Sequence, residues 1–412
     1  MTALTRSQIL EEQLARIASR EPQVRAWSWH DAQQVREQFA ALPADTSALP
    51  LAGITVGIKD IFDTHDMPTT YGSAAFANHR PQHDAHAVAK LRAAGALIMG
   101  KTVTTEFAHQ HAGPTTNPHC IDRTPGGSSS GSAAAVADDM VTMALGSQTG
   151  GSTIRPAAYC GIVGFKPTHC KVSLDGVGPL SVTMDTIGLM ARSMTDIRLL
   201  SSVLLEQDVL AQPPAKPRVA WYPSPEAPQA DPDALRALER ARDVLQAAGV
   251  QIVDIDLPAK DFLALGQSNR LIMAYDAARS YEAVYRTQAA NLGASTVKLI
   301  ETGLLITDEQ FKKELLHVEK CKALFARAML DVDAVLTLGA PGQAPLKSTG
   351  TGLSTFNRAW TTLGVPCLTL PFAKGDAAMP LGVQFVSALN EDSLLLTLGT
   401  KFESIFAAHP SV

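Results

Sequence analysis

Between Thr124 and Thr168 the chain carries two glycine-serine turns, and their spacing limits what it can fold into. The first is Gly126-Gly127-Ser128-Ser129-Ser130-Gly131 and the second is Thr149-Gly150-Gly151-Ser152. Between them lie Ser132-Ala133-Ala134-Ala135-Val136-Ala137, whose alanines favour a helix, and the short apolar run 141–145, bounded as a buried strand is. One turn thus precedes a helix N-terminus, where backbone amides are free; the other follows a strand. Glycine pairs permit backbone angles that other residues resist, so successive N–H groups can converge and cradle an anion. A flexible linker fits poorly, because linkers are not normally spliced between a helix and an apolar strand. A phosphate nest uses the same physics and stays open at this point.

The strings GGSSSGSAAAVA and TGGSTIRPAAYCGIVGFKPT resemble the defining segments of the amidase signature family, serine hydrolases that cleave amides with a Ser, cis-Ser, Lys triad. Upstream, ITVGIKDIFDT resembles that family's lysine segment, and the three stretches follow the family's order and spacing. The resemblance implies Ser152 as nucleophile, Ser128 as the bridging serine that passes the proton, and Lys59 as the base. It also implies a cis peptide bond before Ser128 and an oxyanion hole from the backbone amides of Thr149, Gly150, Gly151 and Ser152. Gly127, Ser129 and Arg155 are the implied substrate-binding residues, with no metal and no cofactor. Many relatives carry an aspartate where this chain has Gln148, so the counter-charge of Arg155 is missing and the arginine is left to pair with a substrate carboxylate. That combination looks like the malonamidase branch, which hydrolyses small monoamides of dicarboxylic acids.

A lysine acts as a base only when neutral, so its ordinary pKa must fall by roughly three units, about 4 kcal/mol. On the bare sequence, Lys59 at the end of an apolar run reads as a solvated surface residue; the resemblance instead requires it buried. Desolvation among Ile54, Val56 and Ile58 would supply the shift, provided that no carboxylate touches it.

Elsewhere the pattern predicts helices over 7–19, 31–42, 84–94, 231–248, 260–288, 308–330 and 391–406, and strands over 54–58, 218–222, 250–257, 334–338, 367–371 and 381–386. The alternation points to a layered α/β fold. The resemblance narrows it to one amidase signature domain over 1–412, a large mixed twisted sheet covered by helices on both faces: N-terminal helices in 1–50, a catalytic core segment in 51–190 and the rest of the sheet and cleft in 191–412. The first two helices either wrap the core or meet another subunit. Residues 106–117, 267–285 and 339–355 are expected to line the pocket.

Gly95 to Thr102 satisfies the pattern of a nucleotide-binding P-loop, G-x-x-x-x-G-K-[ST]. Its intervening residues, Ala96-Leu97-Ile98-Met99, are themselves an apolar run, so their backbone belongs in a sheet and Lys101 reads as structural. His109, His111, His119 and Cys120 have spacing that permits a metal, though cleft lining or packing accounts for them as well.

The net charge of −5 is spread along the chain, with no basic stripe for nucleic acid. No stretch reaches the roughly 18 apolar residues of a membrane span. Five scattered cysteines without CxxC spacing argue against a disulfide framework or a zinc site, and the N-terminus lacks the apolar run of a secretory signal, so a reducing cytoplasm is expected. The expected partner is a small amide, and the expected assembly a homodimer. The readings that remain are an amide hydrolase, a glutamine-hydrolysing amidotransferase subunit, an aryl-amide or carbamate hydrolase and, remotely, a nucleotide-binding protein.

Overall fold

Along the strand Met143–Gln148 large and small side chains alternate: Met143 and Leu145 join one buried cluster and Ala144 another. A strand reads this way when both faces are covered, since successive side chains point to opposite sides of the sheet. In the computed structural model, which describes residues 4–205 and 212–409, this strand is one of eleven in a single sheet. In chain order they are β1 (Trp27–His30), β2 (Thr55–Lys59), β3 (Leu97–Thr102), β4 (Met143–Gln148), β5 (Val163–Lys166), β6 (Thr186–Ala191), β7 (Arg218–Trp221), β8 (Gln251–Asp254), β9 (Ala334–Leu338), β10 (Cys367–Lys374) and β11 (Pro380–Val386).

The spatial order is β1-β3-β2-β4-β6-β5-β10-β11-β9-β7-β8. β2 lies parallel to both β3 and β4, β7 lies parallel to β8 and β9, and the strands between these groups run antiparallel. The sheet is therefore mixed. On one face, Val56, Ile58, Ile98, Met143, Leu145, Ile187 and Leu189 pack with Met194 and Ile197 of the helix Met194–Leu205. On the other, Ala144 and Met190 meet the alanines of the helix Ser130–Ala137.

The N-terminal helix Arg6–Val24 docks on the core of its own chain, with Leu10, Leu14, Ile17 and Val24 in that second cluster. Arg16 and Arg20 both reach the carboxylate of buried Asp138, just past the helix Ser130–Ala137, at 2.8 and 3.1 Å. The sequence pattern did not reveal the next element, Trp27–His30, which forms edge strand β1, antiparallel to β3. Four residues are too few for alternation to stand out. The helices Ala294–Leu304 and Thr355–Thr362 were also unforeseen, the latter starting on the last residue of the stretch 339–355 that was expected to line the pocket.

The P-loop reading fails for the reason given by its composition. Leu97–Thr102 is a wholly buried strand, and Gly100 is paired in the sheet with Gly57 and His30. Lys101 is fully buried; its Nζ donates to Phe62 O and Thr69 Oγ1 and lies 3.4 Å from buried Asp60. Removing one member of a buried ion pair leaves the other charge uncompensated. Lys101→Met should therefore lower stability by about 3 kcal/mol, read as a reduced urea midpoint with an unchanged slope.

Candidate active site

β2 ends on Lys59, and β4 runs beside it in parallel, so the strand end brings Ser147 to the lysine. Lys59 is wholly buried, and its Nζ lies 2.7 Å from both Ser128 Oγ and Ser147 Oγ. Among the described residues it makes no ion pair. Burial pulls its ammonium from the ordinary 10.5 down to about 7, while Asp185 opposes the shift through space without touching it. The peptide bond between Gly127 and Ser128 is cis.

The second turn follows β4 directly and leads into the helix Ile154–Cys160. Its four carbonyls are all held. Thr149 O accepts from Asn269 Nδ2, Gly150 O from Thr361 Oγ1, Gly151 O from the amide of Arg155, and Ser152 O from the amide of Ser129. The last of these, at 3.4 Å, joins the two turns. Among the described residues none of the backbone N–H groups of Thr149, Gly150, Gly151 and Ser152 donates to protein. A loop pinned by its carbonyls, with four consecutive amides free among the described residues, can donate to an anionic oxygen.

Glycine serves this turn differently from the sequence expectation. Gly150 and Gly151 do not have positive φ; Gly126 does, at +87°. At Gly151 the requirement is space, since a Cβ there would collide with Asn357 Oδ1. Gly150 is roomier, with the nearest atom, Ser354 Oγ, 3.5 Å from a built Cβ.

Gln148 also has a different part from the one its sequence position implied. Its Oε1 accepts from the amides of Thr153 and Ile154 at 2.9 and 3.0 Å, and its Nε2 donates to Thr361 Oγ1 at 2.9 Å. The amide thus ties the start of the helix Ile154–Cys160 to the helix Thr355–Thr362, a donor-and-acceptor task that a carboxylate cannot perform. Asp185, buried and raised to about 6 by burial, accepts from Thr149 Oγ1 at 2.5 Å and from the amides of Leu180 and Ser181.

A cavity of about 580 Å³ opens over the second turn, within the usual range for small-molecule sites. Thr149, Gly150, Gly151, Ser152, Arg155 and Arg358 line it, with Ala108 to Gln110, Met273 and parts of 341–354 as the pocket expectation had it. Gln229, Asp231 and Leu180 were missed. Lys59 and Ser128 are buried and are not among the lining residues. Ser129, expected at the substrate, is fully buried instead. Its hydroxyl donates to Ser147 O and accepts from Ser147 N, so the side chain fastens the first turn to β4. The Gly127 carbonyl, likewise, accepts from Arg155.

Arg155 contacts no carboxylate among the described residues; its two Nη atoms donate to Gly127 O and Gly352 O, while its Nε is buried without a partner. His109 lines the cavity, held neutral with its pKa near 4 by burial and by Arg358. His119 instead bonds Cys160 O. The one group of potential metal ligands found among the described residues is His65, Asp66 and Asp84, far from these histidines in sequence, and both of its carboxylates pair with Arg92.

Sequence reasoning missed Ser147, Asp185, Asn269, Arg358 and Thr361. Ser147 immediately precedes Gln148, but nothing local marks a strand serine as the partner of a lysine 88 positions away.

The chain matches the Amidase family over residues 8–396. It is 30% identical over 458 residues to the A subunit of glutamyl-tRNA(Gln) amidotransferase from Roseiflexus castenholzii, spanning 96% of this chain and 91% of that one. The protein of the same name from Thermus thermophilus is 32% identical over 405 residues, 87% of this chain and 86% of that one. Among solved structures, a crystal structure of amidase superposes with a TM-score of 0.90 at 30% identity, covering 98% of this chain and 96% of that one.

Overpacking a filled site costs about 1–3 kcal/mol. Gly151→Ala should lose stability on that scale as Asn357 is displaced, whereas Gly150→Ala should lose less, measured side by side by chemical denaturation.

Proposed function

The chain belongs to the amidase signature family of amide hydrolases, and from that premise we propose that it cleaves a small amide through Ser152, Ser128 and Lys59, by way of an acyl-enzyme. The observation that carries this reading is the buried lysine, 2.7 Å from Ser128 Oγ and, among the described residues, free of any carboxylate contact.

A neutral Lys59 has one lone pair and two N–H groups. It accepts the proton of the Ser128 hydroxyl while donating to Ser147 Oγ, so Ser147 leaves the lone pair aimed at Ser128. Ser128 in turn draws the proton from Ser152 as that oxygen attacks the amide carbon. The tetrahedral oxyanion is met by the free amides of Thr149 to Ser152, with no reorganisation needed because their carbonyls are already held. Ser128 then returns the proton to the departing nitrogen, and water releases the acid by the same steps. No group in this sequence of steps requires a cofactor.

Arg155 lines the cavity with its charge unneutralised, and Gln148 supplies no counter-charge. This supports a substrate bearing a carboxylate, such as a monoamide of a dicarboxylic acid. The names of the two amidotransferase relatives favour a second reading, a subunit that takes ammonia from glutamine. An aryl-amide or carbamate-type substrate suits the same triad. We further propose a homodimer in the cytoplasm. The five cysteines are free, in keeping with a reducing compartment, and among the described residues no helix is long and apolar enough to cross a membrane.

Purified protein, without metal or ATP, should release ammonia from malonamate or succinamate in preference to neutral and aryl amides. Ser152→Ala should lower the rate by at least about 10³. Activity confined to glutamine, or appearing only with a partner protein and tRNA, would transfer the assignment to the second reading.

The base must be neutral, so kcat/KM should rise with pH to a plateau with a midpoint near 7, the value to which burial brings Lys59. The Asp185 carboxylate favours the ammonium form, so Asp185→Asn should move that midpoint to lower pH. An unmoved or raised midpoint in a pH-rate profile would count against Lys59 as the titrating base.

A further inference from the structure

The cavity holds a second guanidinium that the catalytic steps do not use. Arg358 comes from the helix Thr355–Thr362 and lines the same cavity as Ser152 and Arg155. Its Nη1 donates to Asn269 Oδ1 at 2.8 Å. Asn269 also donates to Thr149 O and to Thr362 Oγ1, so one amide positions both the oxyanion turn and the arginine. Nη1 lies 3.7 Å from a Cβ built on Gly150, which places the guanidinium directly beside that turn.

The two arginines differ in what they have left to offer. Both Nη atoms of Arg155 are committed to main-chain carbonyls and its Nε is sealed off. Arg358 has one nitrogen committed; among the described residues its Nε and Nη2 meet no protein acceptor and are not buried without a partner. That edge of a guanidinium is the one that matches a carboxylate with two parallel bonds.

No carboxylate forms an ion pair with either arginine among the described residues; Glu226 acts on Arg358 only through space, against like charge from Arg270 and Arg155. Asp231, the acidic side chain on the cavity wall, packs against Gly342. A cavity wall with two cations that no carboxylate contacts among the described residues favours an anion.

We propose that Arg358 is a specificity-determining residue of this cavity, donating from Nε and Nη2 to a carboxylate of the amide substrate while Arg155 adds charge beside it. This rests on the amide-hydrolase reading and names the residue that selects acidic amides within it. It also disfavours a zwitterionic amide such as glutamine, whose ammonium group would approach two cations.

The test separates binding from turnover. Malonate, a carboxylate probe without an amide, is titrated calorimetrically into the full chain, into Arg358→Met and into Arg358→Lys, with thermal melts as a check on folding. The wild-type protein should bind malonate, and Arg358→Met should weaken binding by at least about thirtyfold, the scale for truncating one partner of a hydrogen-bonded charge pair. Arg358→Lys, which keeps the charge but loses the fork, should fall between; it carries the test if the methionine variant does not fold. In turnover, Arg358→Met should reduce the preference for succinamate over butyramide mainly through KM. Unchanged malonate affinity in a folded Arg358→Met protein overturns the proposal. So does a wild-type protein that hydrolyses neutral amides yet binds no malonate, although the hydrolase reading then stands. Loss of malonate binding in Arg358→Met, with no amide hydrolysed by the wild type, supports the anion site and removes the hydrolase reading instead.

Discussion

A lysine amine held in a fully buried position by two serine hydroxyls, with no carboxylate contact among the described residues, sets the terms for the rest of this site. Desolvation of Lys59 is what makes its neutral form accessible near pH 7, and it depends on the apolar side chains around the end of β2. A carboxylate in contact would favour the ammonium form and remove the lone pair that the proposed mechanism uses. Asp185 sits close enough to act through space, but its own oxygens are taken by Thr149 and by the amides of Leu180 and Ser181. The same carboxylate therefore tempers the lysine and anchors the second turn through Thr149.

The rest of the architecture reads as support for two turns that must stay in register. A hydrogen bond from Ser129 N to Ser152 O joins them, and the Ser129 hydroxyl clips the first turn to β4. Asn269 and Thr361 hold the second turn from its carbonyl side, with Gln148 donating to Thr361, and four consecutive amides are left unengaged among the described residues. Such preorganisation is what an oxyanion site needs, because dipoles already aimed at the developing charge cost nothing to reorient during reaction. The helix Thr355–Thr362 is central to this arrangement: it supplies Thr361 to the turn, Asn357 against Gly151 and Arg358 to the cavity.

Much of the fold was legible because apolar runs with period two or near 3.6 mark buried strands and helices directly. Ala334–Leu338 coincides with its sequence range, and the ends of most other elements lie within a few residues of theirs. Two of the exceptions share a cause: β1 has four residues and the helix Thr355–Thr362 has eight, too short for a periodic signal to rise above their surroundings. The site was legible only where motif residues adjoin one another. Lys59, Ser128 and Ser152 were named through resemblance, whereas Ser147, Asp185, Asn269 and Arg358 come from segments that meet only after the sheet has formed.

Local patterning of side-chain size and polarity was enough to establish a layered alternation of helices and buried strands, with two glycine-serine turns flanking a short helix and a buried strand; the covering of one large sheet by helices on both faces was implied by the family resemblance. Local patterning was also enough to make Gly95 to Thr102 a strand rather than a phosphate loop. Four other features emerged from the folded chain alone: the N-terminal helix belongs to its own core, Gln148 is a cap and tie, Gly151 is required by the approach of Asn357, and Arg358 stands beside Arg155. Each of those depends on which distant segments share a few ångströms of space, and no local pattern of residues encodes that distance.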